Sequence, residues 1–178
     1  MLTRLPEFVD PWRLADQGKS FSGQEKLRNF SRLRGLLTRP DGEVAFELRI
    51  GGDEGRWPRI KGWVRTTLNL ECQRCLEELG VPVNAMLDLA VIEVPGEADA
   101  LPESCEPVLA EDGRLRLLDI IEDELLLAVP QVPRHEAEDC AVATQRAVAT
   151  QDRADTVQTE VPGSPFAVLA GMKTKRKN

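Results

Sequence analysis

Leu70-Glu71-Cys72-Gln73-Arg74-Cys75-Leu76 sits between two runs in which apolar and polar residues alternate. On the N-terminal side Ile60, Gly62, Val64, Thr66, Leu68 and Leu70 share one face. On the C-terminal side Leu79, Val81, Val83, Ala85, Leu87, Leu89 and Val91 do the same. Alternation of this kind marks half-buried strands. The two runs therefore predict a β-hairpin with Cys72 and Cys75 at its tip, spaced so that two thiolates can grip one metal ion. The same Cys-x-x-Cys spacing also serves redox sites and plain buried cysteines. A second ligand pair strengthens the metal reading, and the only histidine, His135, followed by Cys140, supplies a candidate.

Outward from the hairpin toward the N-terminus, Val44, Phe46, Leu48 and Ile50 alternate through another strand, joined to the first run by the loop Gly51-Gly52-Asp53-Glu54-Gly55. Three consecutive strands with short connections make an antiparallel meander. Before them, residues 24–37 read as a helix, with Leu27, Phe30, Leu33 and Leu37 at the three-to-four spacing of a buried face. Its other face carries Lys26, Arg28, Arg32 and Arg34, the densest basic patch of the folded part. That patch is either a solvated helix face or a phosphate-contacting surface. Residues 20–23 add a short strand, and at the start Asp10 caps a helix with Pro11 in its first turn.

On the other side, residues 94–113 hold three prolines and many acids and are expected to form an irregular loop. Leu118 to Val129 then form an apolar helix that Pro130 stops. Asp119 with Glu122 matches a capping box. Glu122, Asp123 and Glu124 point in different directions along that helix, so they read as a solvated edge and not as a catalytic cluster. Sheet and helices are segregated along the chain, which makes the fold class α+β. The expected architecture is an antiparallel β-meander with a cysteine-bearing hairpin, packed against a basic helix and a hydrophobic C-terminal core helix.

One domain over residues 1–140 is expected. After it, Ala141 to Gln145 and Ala147 to Gln151 form a small low-complexity repeat, and residues 141–163 contain no aromatic ring. That composition predicts a disordered linker. Residues 164–178 resume as a short amphipathic helix, with Phe166, Leu169 and Met172 in register, followed by Lys173, Lys175, Arg176 and Lys177. Such a segment suits docking, either to a partner or to its own domain.

The 178 residues suffice for one well-buried core. No apolar run reaches the ~20 residues that cross a bilayer, so no membrane association is expected. The opening residues lack a secretory pattern, and four cysteines without one point to metal or free thiols instead of disulfides. The net charge of −7 divides into +4 over residues 1–70, −3 over 71–92, −11 over 93–139 and +3 over 140–178. An acidic middle with basic ends does not describe a protein that coats nucleic acid along its whole surface. It permits local phosphate contacts and an acidic face for a basic protein.

Four separated motifs occur in order: the hairpin Leu70 to Leu76, the helix Leu118 to Pro130, His135 with Cys140, and Pro165-Phe166-Ala167-Val168-Leu169-Ala170. With Leu5-Pro6 and Asp10-Pro11, they resemble the YceD family of large ribosomal RNA subunit accumulation proteins over nearly the whole chain. The resemblance implies a bacterial cytoplasmic protein that is not an enzyme and that supports 23S ribosomal RNA accumulation and large-subunit assembly. Its partners would be ribosomal RNA, large-subunit assembly intermediates or a basic ribosomal protein. Lys26, Arg28, Arg32, Arg34, Arg74 and the tail residues Phe166, Leu169, Lys173, Lys175, Arg176 and Lys177 would provide the contacts. Cys72, Cys75, His135 and Cys140 would form a closed three-sulfur, one-nitrogen site for a structural Zn2+, against the alternative of a reduced, metal-free hairpin tip.

A thiol redox or zinc-dependent enzyme using Cys72 and Cys75 is the competing function. A reactive Cys-x-x-Cys usually opens a helix, which lowers the thiol pKa, whereas this one lies in a hairpin. Four protein ligands leave no position for a catalytic water. No Walker loop, dinucleotide fingerprint or serine–histidine pairing is present.

Overall fold

Five strands lie side by side in one sheet in the order β1-β2-β3-β4-β5. They are β1 (Ser20–Lys26), β2 (Glu43–Gly52), β3 (Pro58–Glu71), β4 (Glu78–Ile92) and β5 (Glu106–Leu109). The first four pair antiparallel and β5 joins β4 in parallel, so the sheet is mixed. Helices α1 (Pro11–Asp16) and α2 (Leu117–Ala128) complete an α+β domain. The computed structural model describes residues 5–52, 57–136 and 139–140, all within the unit Met1–Cys140. The tip of the β2–β3 loop, the linker and the C-terminal segment with Phe166, Leu169, Lys173, Lys175, Arg176 and Lys177 lie outside the described residues.

Register follows from burying one face. Phe46 lies opposite Val64 and Val64 opposite Ala85, while Ile60 lies opposite both Ile50 and Leu89. Val44, Leu48, Ile50, Ile60, Val64, Leu68 and Val91 are fully buried on this face. A shift of one residue in any pair would turn this set into water. Close approach is built in at Gly62, where a Cβ would sit 1.9 Å from the backbone oxygen of Glu47. Helix α2 closes the core with Leu117, Ile120, Ile121 and Leu125, each such side chain contributing about 1.5–3 kcal/mol on burial.

The N-terminal expectations hold in detail: Asp10 Oδ1 accepts from the Arg13 backbone N–H at 3.0 Å, and Pro11 opens α1. The helix expected over residues 24–37 is absent. Residues 20–26 are strand, and Leu27–Asn29 and Leu33–Leu36 are separate 3-10 turns. Leu27, Phe30 and Leu33 are fully buried, but their spacing of three fits a 3-10 turn as well as a helix. Glu122 of α2 supplies the missing hydrogen bonds, since its Oε1 accepts from the backbone N–H of Arg32 at 2.7 Å and of Leu33 at 3.1 Å. This overturns the solvated reading of Glu122, which is 3% exposed, and the capping box, since α2 begins at Leu117 with Arg116 before it.

The acidic stretch after β4 is more ordered than its composition suggests. A 3-10 turn at Pro95–Ala100 carries the chain across to β5, which runs parallel to β4. Parallel neighbours need a crossover of about this length.

Candidate metal centre

Strands β3 and β4 pair out to Glu71 opposite Glu78, carrying the cysteine turn to the end of the sheet. Within the turn, the Cys72 backbone N–H donates to the Glu77 carbonyl at 2.9 Å and the Leu76 N–H to the Cys72 carbonyl at 2.8 Å. The second bond wraps the backbone around the Cys72 sulfur. Leu76 itself has a φ of +64°, a left-handed conformation that costs a non-glycine residue free energy.

After α2, Pro130 ends the helix and the chain returns to the hairpin tip. The Gln73 N–H donates to the Pro133 carbonyl at 2.8 Å, docking the two segments. His135 Nδ1 then lies 3.3 Å from Cys75 Sγ, and its backbone N–H donates to Cys72 Sγ at 3.4 Å. One potential ligand atom from each of Cys72, Cys75, His135 and Cys140 lies within 4.8 Å of the other three. A tetrahedral zinc with Zn–S bonds of ~2.3 Å places its sulfurs about 3.8 Å apart, so the cluster can close on such an ion with little movement.

Hydrogen bonding around the cluster suits a cation. His135 Nε2 is 3.1 Å from the Glu78 carbonyl; a proton on Nε2 directed there leaves the Nδ1 lone pair facing the sulfurs. Burial raises the Cys72 thiol pKa, but N–H groups of Cys75, His135 and Arg74 outweigh it and bring Cys72 down to about 5. Cys75 is pushed up despite the Glu77 N–H, because burial and the neighbouring sulfurs of Cys72 and Cys140 disfavour a second negative charge. A cation among them removes that repulsion. Three thiols and one imidazole form the donor set of a structural zinc site, and they fit one here.

Arg74 belongs to the closure of this site. Its Nε donates to Cys140 Sγ at 2.9 Å, and its terminal nitrogen donates to the carbonyls of His135 and Glu136 at 3.0 and 3.1 Å. The guanidinium of this exposed residue, expected as a partner contact, thus ties the hairpin to His135, Glu136 and Cys140. Arg32 is held by Glu122 and Asp123 at 3.1 and 2.7 Å, with about half of its side chain still exposed. Lys26, Arg28 and Arg34 are exposed, but they stand on a strand end and two turns instead of one helix face.

A brace that composition does not reveal supports the start of β4. Arg39 grips the Glu78 carboxylate through two nitrogens, and the Thr38 hydroxyl donates to it at 3.0 Å. Arg39 first and Thr38 second hold the Glu78 carboxyl below its usual range. The same residue's carbonyl faces His135, so the brace steadies the imidazole's hydrogen-bond partner. Sequence reasoning missed it because Arg39 and Glu78 are far apart in the chain.

Fold and site together define an α+β sheet domain whose hairpin and post-helix segment meet in a Cys3His cluster. A family model described as "Large ribosomal RNA subunit accumulation protein YceD" matches residues 60–173. The chain belongs to the YceD family. A protein of Haemophilus influenzae (strain ATCC 51907 / DSM 11121 / KW20 / Rd), described in the same words, is 31% identical over 173 residues, covering 97% of this chain and 98% of the relative. No solved structure matches.

Proposed function

We propose that this protein is a non-catalytic cytoplasmic factor that supports 23S ribosomal RNA accumulation and large-subunit assembly, and that its Cys3His cluster holds a structural Zn2+. The observation that carries the functional reading is the end-to-end match to a relative named for large ribosomal RNA subunit accumulation. The cluster supports a structural role: four protein donors satisfy a tetrahedral ion and leave no position for a reacting water. Among the described residues, no helix is long and apolar enough to cross a membrane.

Contacts to ribosomal RNA or a basic ribosomal protein would come from exposed Lys26, Arg28 and Arg34 and from the segment with Phe166, Leu169, Lys173, Lys175, Arg176 and Lys177. Residues 1–140 act as the domain, 141–163 as linker and 164–178 as hook. Depleting the protein should lower 23S RNA and mature large subunits, and a chain cut after Gly163 should restore neither while melting as the full chain does. A turnover activity of the purified protein that disappears in Cys72→Ser would overturn the non-catalytic reading in favour of a thiol or zinc enzyme.

A further inference from the structure

The buried face of the sheet accounts for every second residue of β3, and the others line the opposite face. There Arg59, Lys61, Trp63, Arg65, Thr67 and Asn69 follow one another, with Arg49 opposite Lys61 and Met86 opposite Trp63. No described helix covers Met86, which is 73% exposed, and Arg49, Lys61 and Arg65 are exposed as well. The Arg65 guanidinium carbon lies 4.5 Å from the centroid of the Trp63 ring. The Trp63 indole N–H donates to Glu47 at 3.2 Å and Arg65 Nε donates to Asn84 at 2.9 Å, which fixes the indole and the guanidinium in place.

We infer that this open face is a binding platform for single-stranded RNA, with Trp63 and Arg65 as the stacking unit and Arg49 as a phosphate contact. The inference rests on the assembly-factor reading and names its RNA-contacting surface. Charge complementarity selects the occupant. Neither Arg49 nor Arg65 has an ion-pair partner among the described residues. Arg59 and Lys61 are engaged with Asp88. Of the acids on this face, Glu47 opposite Trp63 is hydrogen-bonded to the indole and Asp88 is paired with Arg59 and Lys61, while exposed Glu43 lies one row beyond Arg65.

A base has a flat face that any aromatic ring or guanidinium plane can stack upon, and the phosphates beside it seek unpaired arginines. Arg49 stands one row from Glu47 and Trp63, about 6.6–6.8 Å along the strand. It lines a cleft of about 250 Å³ with Gly51, Gly52, Arg59 and Lys61. A double helix gains little from such a surface, because its bases are already stacked on one another and a broad sheet cannot enter the deep major groove of A-form RNA. An acidic protein would use the arginines but not the planar stack.

The test measures binding of the full chain to a labelled mixed-sequence single-stranded RNA and to a duplex of equal length, by fluorescence anisotropy across a salt series. Wild-type protein should prefer the single strand. Trp63→Ala should weaken binding about 5- to 100-fold, as expected for one lost stacking partner, while Trp63→Phe stays within a few-fold of wild type. Arg49→Ala should lower the slope of log affinity against log salt by about 0.7. If Trp63→Ala fails to fold, Arg65→Ala and Trp63→Phe decide, since both preserve most of the packing. Equal binding by wild type and all these variants, or no binding of single strands, overturns the inference. So does crosslinking in which the face captures an acidic protein and no RNA. Variants that still co-sediment with large-subunit precursors like the wild type would sink the platform and leave the assembly role standing. A wild-type protein that never co-sediments, and whose loss leaves 23S RNA unchanged, sinks the assembly role itself.

Discussion

The guanidinium of Arg74 donates to the sulfur of Cys140 at 2.9 Å, across 66 positions of chain. Arg74 lies between Cys72 and Cys75, so the residue that separates two proposed ligands also holds a third. Its bonds to the His135 and Glu136 carbonyls hold the backbone of a further candidate ligand.

Arg74→Ala should therefore weaken zinc binding without removing a ligand. Loss of an outer partner of this kind costs about 10- to 100-fold in metal affinity. Competition with a chromogenic chelator would show it, and Arg74→Lys should recover part of the loss through its charge. Unchanged zinc affinity in Arg74→Ala would mean the bond only decorates the site.

Glu122 gives a second prediction. It is a buried carboxylate holding two backbone N–H groups and Arg32. Glu122→Ala leaves those donors unpaired, at a cost of about 3 kcal/mol by the usual penalty for breaking a buried charged network. Asp123→Ala removes only an exposed pair with Arg32, for less than about 1 kcal/mol. Urea unfolding of the two variants should separate them clearly. Comparable losses would show that burial at Glu122 matters little.

Glu124 sets a pH dependence. Burial first, then the charges of Glu106 and Asp123, raise its carboxyl above the ordinary 4.5. An acid whose folded pKa is raised adds stability below its unfolded pKa, and that contribution is lost as pH rises through the folded value. Glu124→Gln should accordingly melt higher than the parent at neutral pH, with the difference closing in acid below the ordinary 4.5. A variant that melts lower at neutral pH would show that the ionised carboxylate is favoured where it stands.

The hairpin was legible in the chain because Ile60 to Leu70 and Leu79 to Val91 each alternate over many residues, and the sheet turns that set to its buried side. Helix α2 was legible from its apolar density and from Pro130. The four candidate ligands were legible as two short spacings, and the fold brings them together. What local pattern cannot carry is pairing at long range. Leu27, Phe30 and Leu33 have helical spacing, but Glu122, far along the chain, takes the hydrogen bonds of Arg32 and Leu33. β5 is four residues long, one of them a proline, and only its parallel pairing with Leu89 to Ile92 makes it a strand. Trp63 and Arg65 were passed over because the reading followed the apolar face and left the polar one unexamined.

The central claim is that a cation closes the hairpin tip onto the segment after α2. The direct measurement is zinc stoichiometry by native mass spectrometry of the purified full chain, paired with melting before and after chelation. The purified chain should carry about one zinc, lost in Cys72→Ser with Cys75→Ser and weakened in His135→Ala, and chelation should lower its melting temperature. A chain that takes up no zinc when it is supplied, and melts the same with chelator as without, would contradict it.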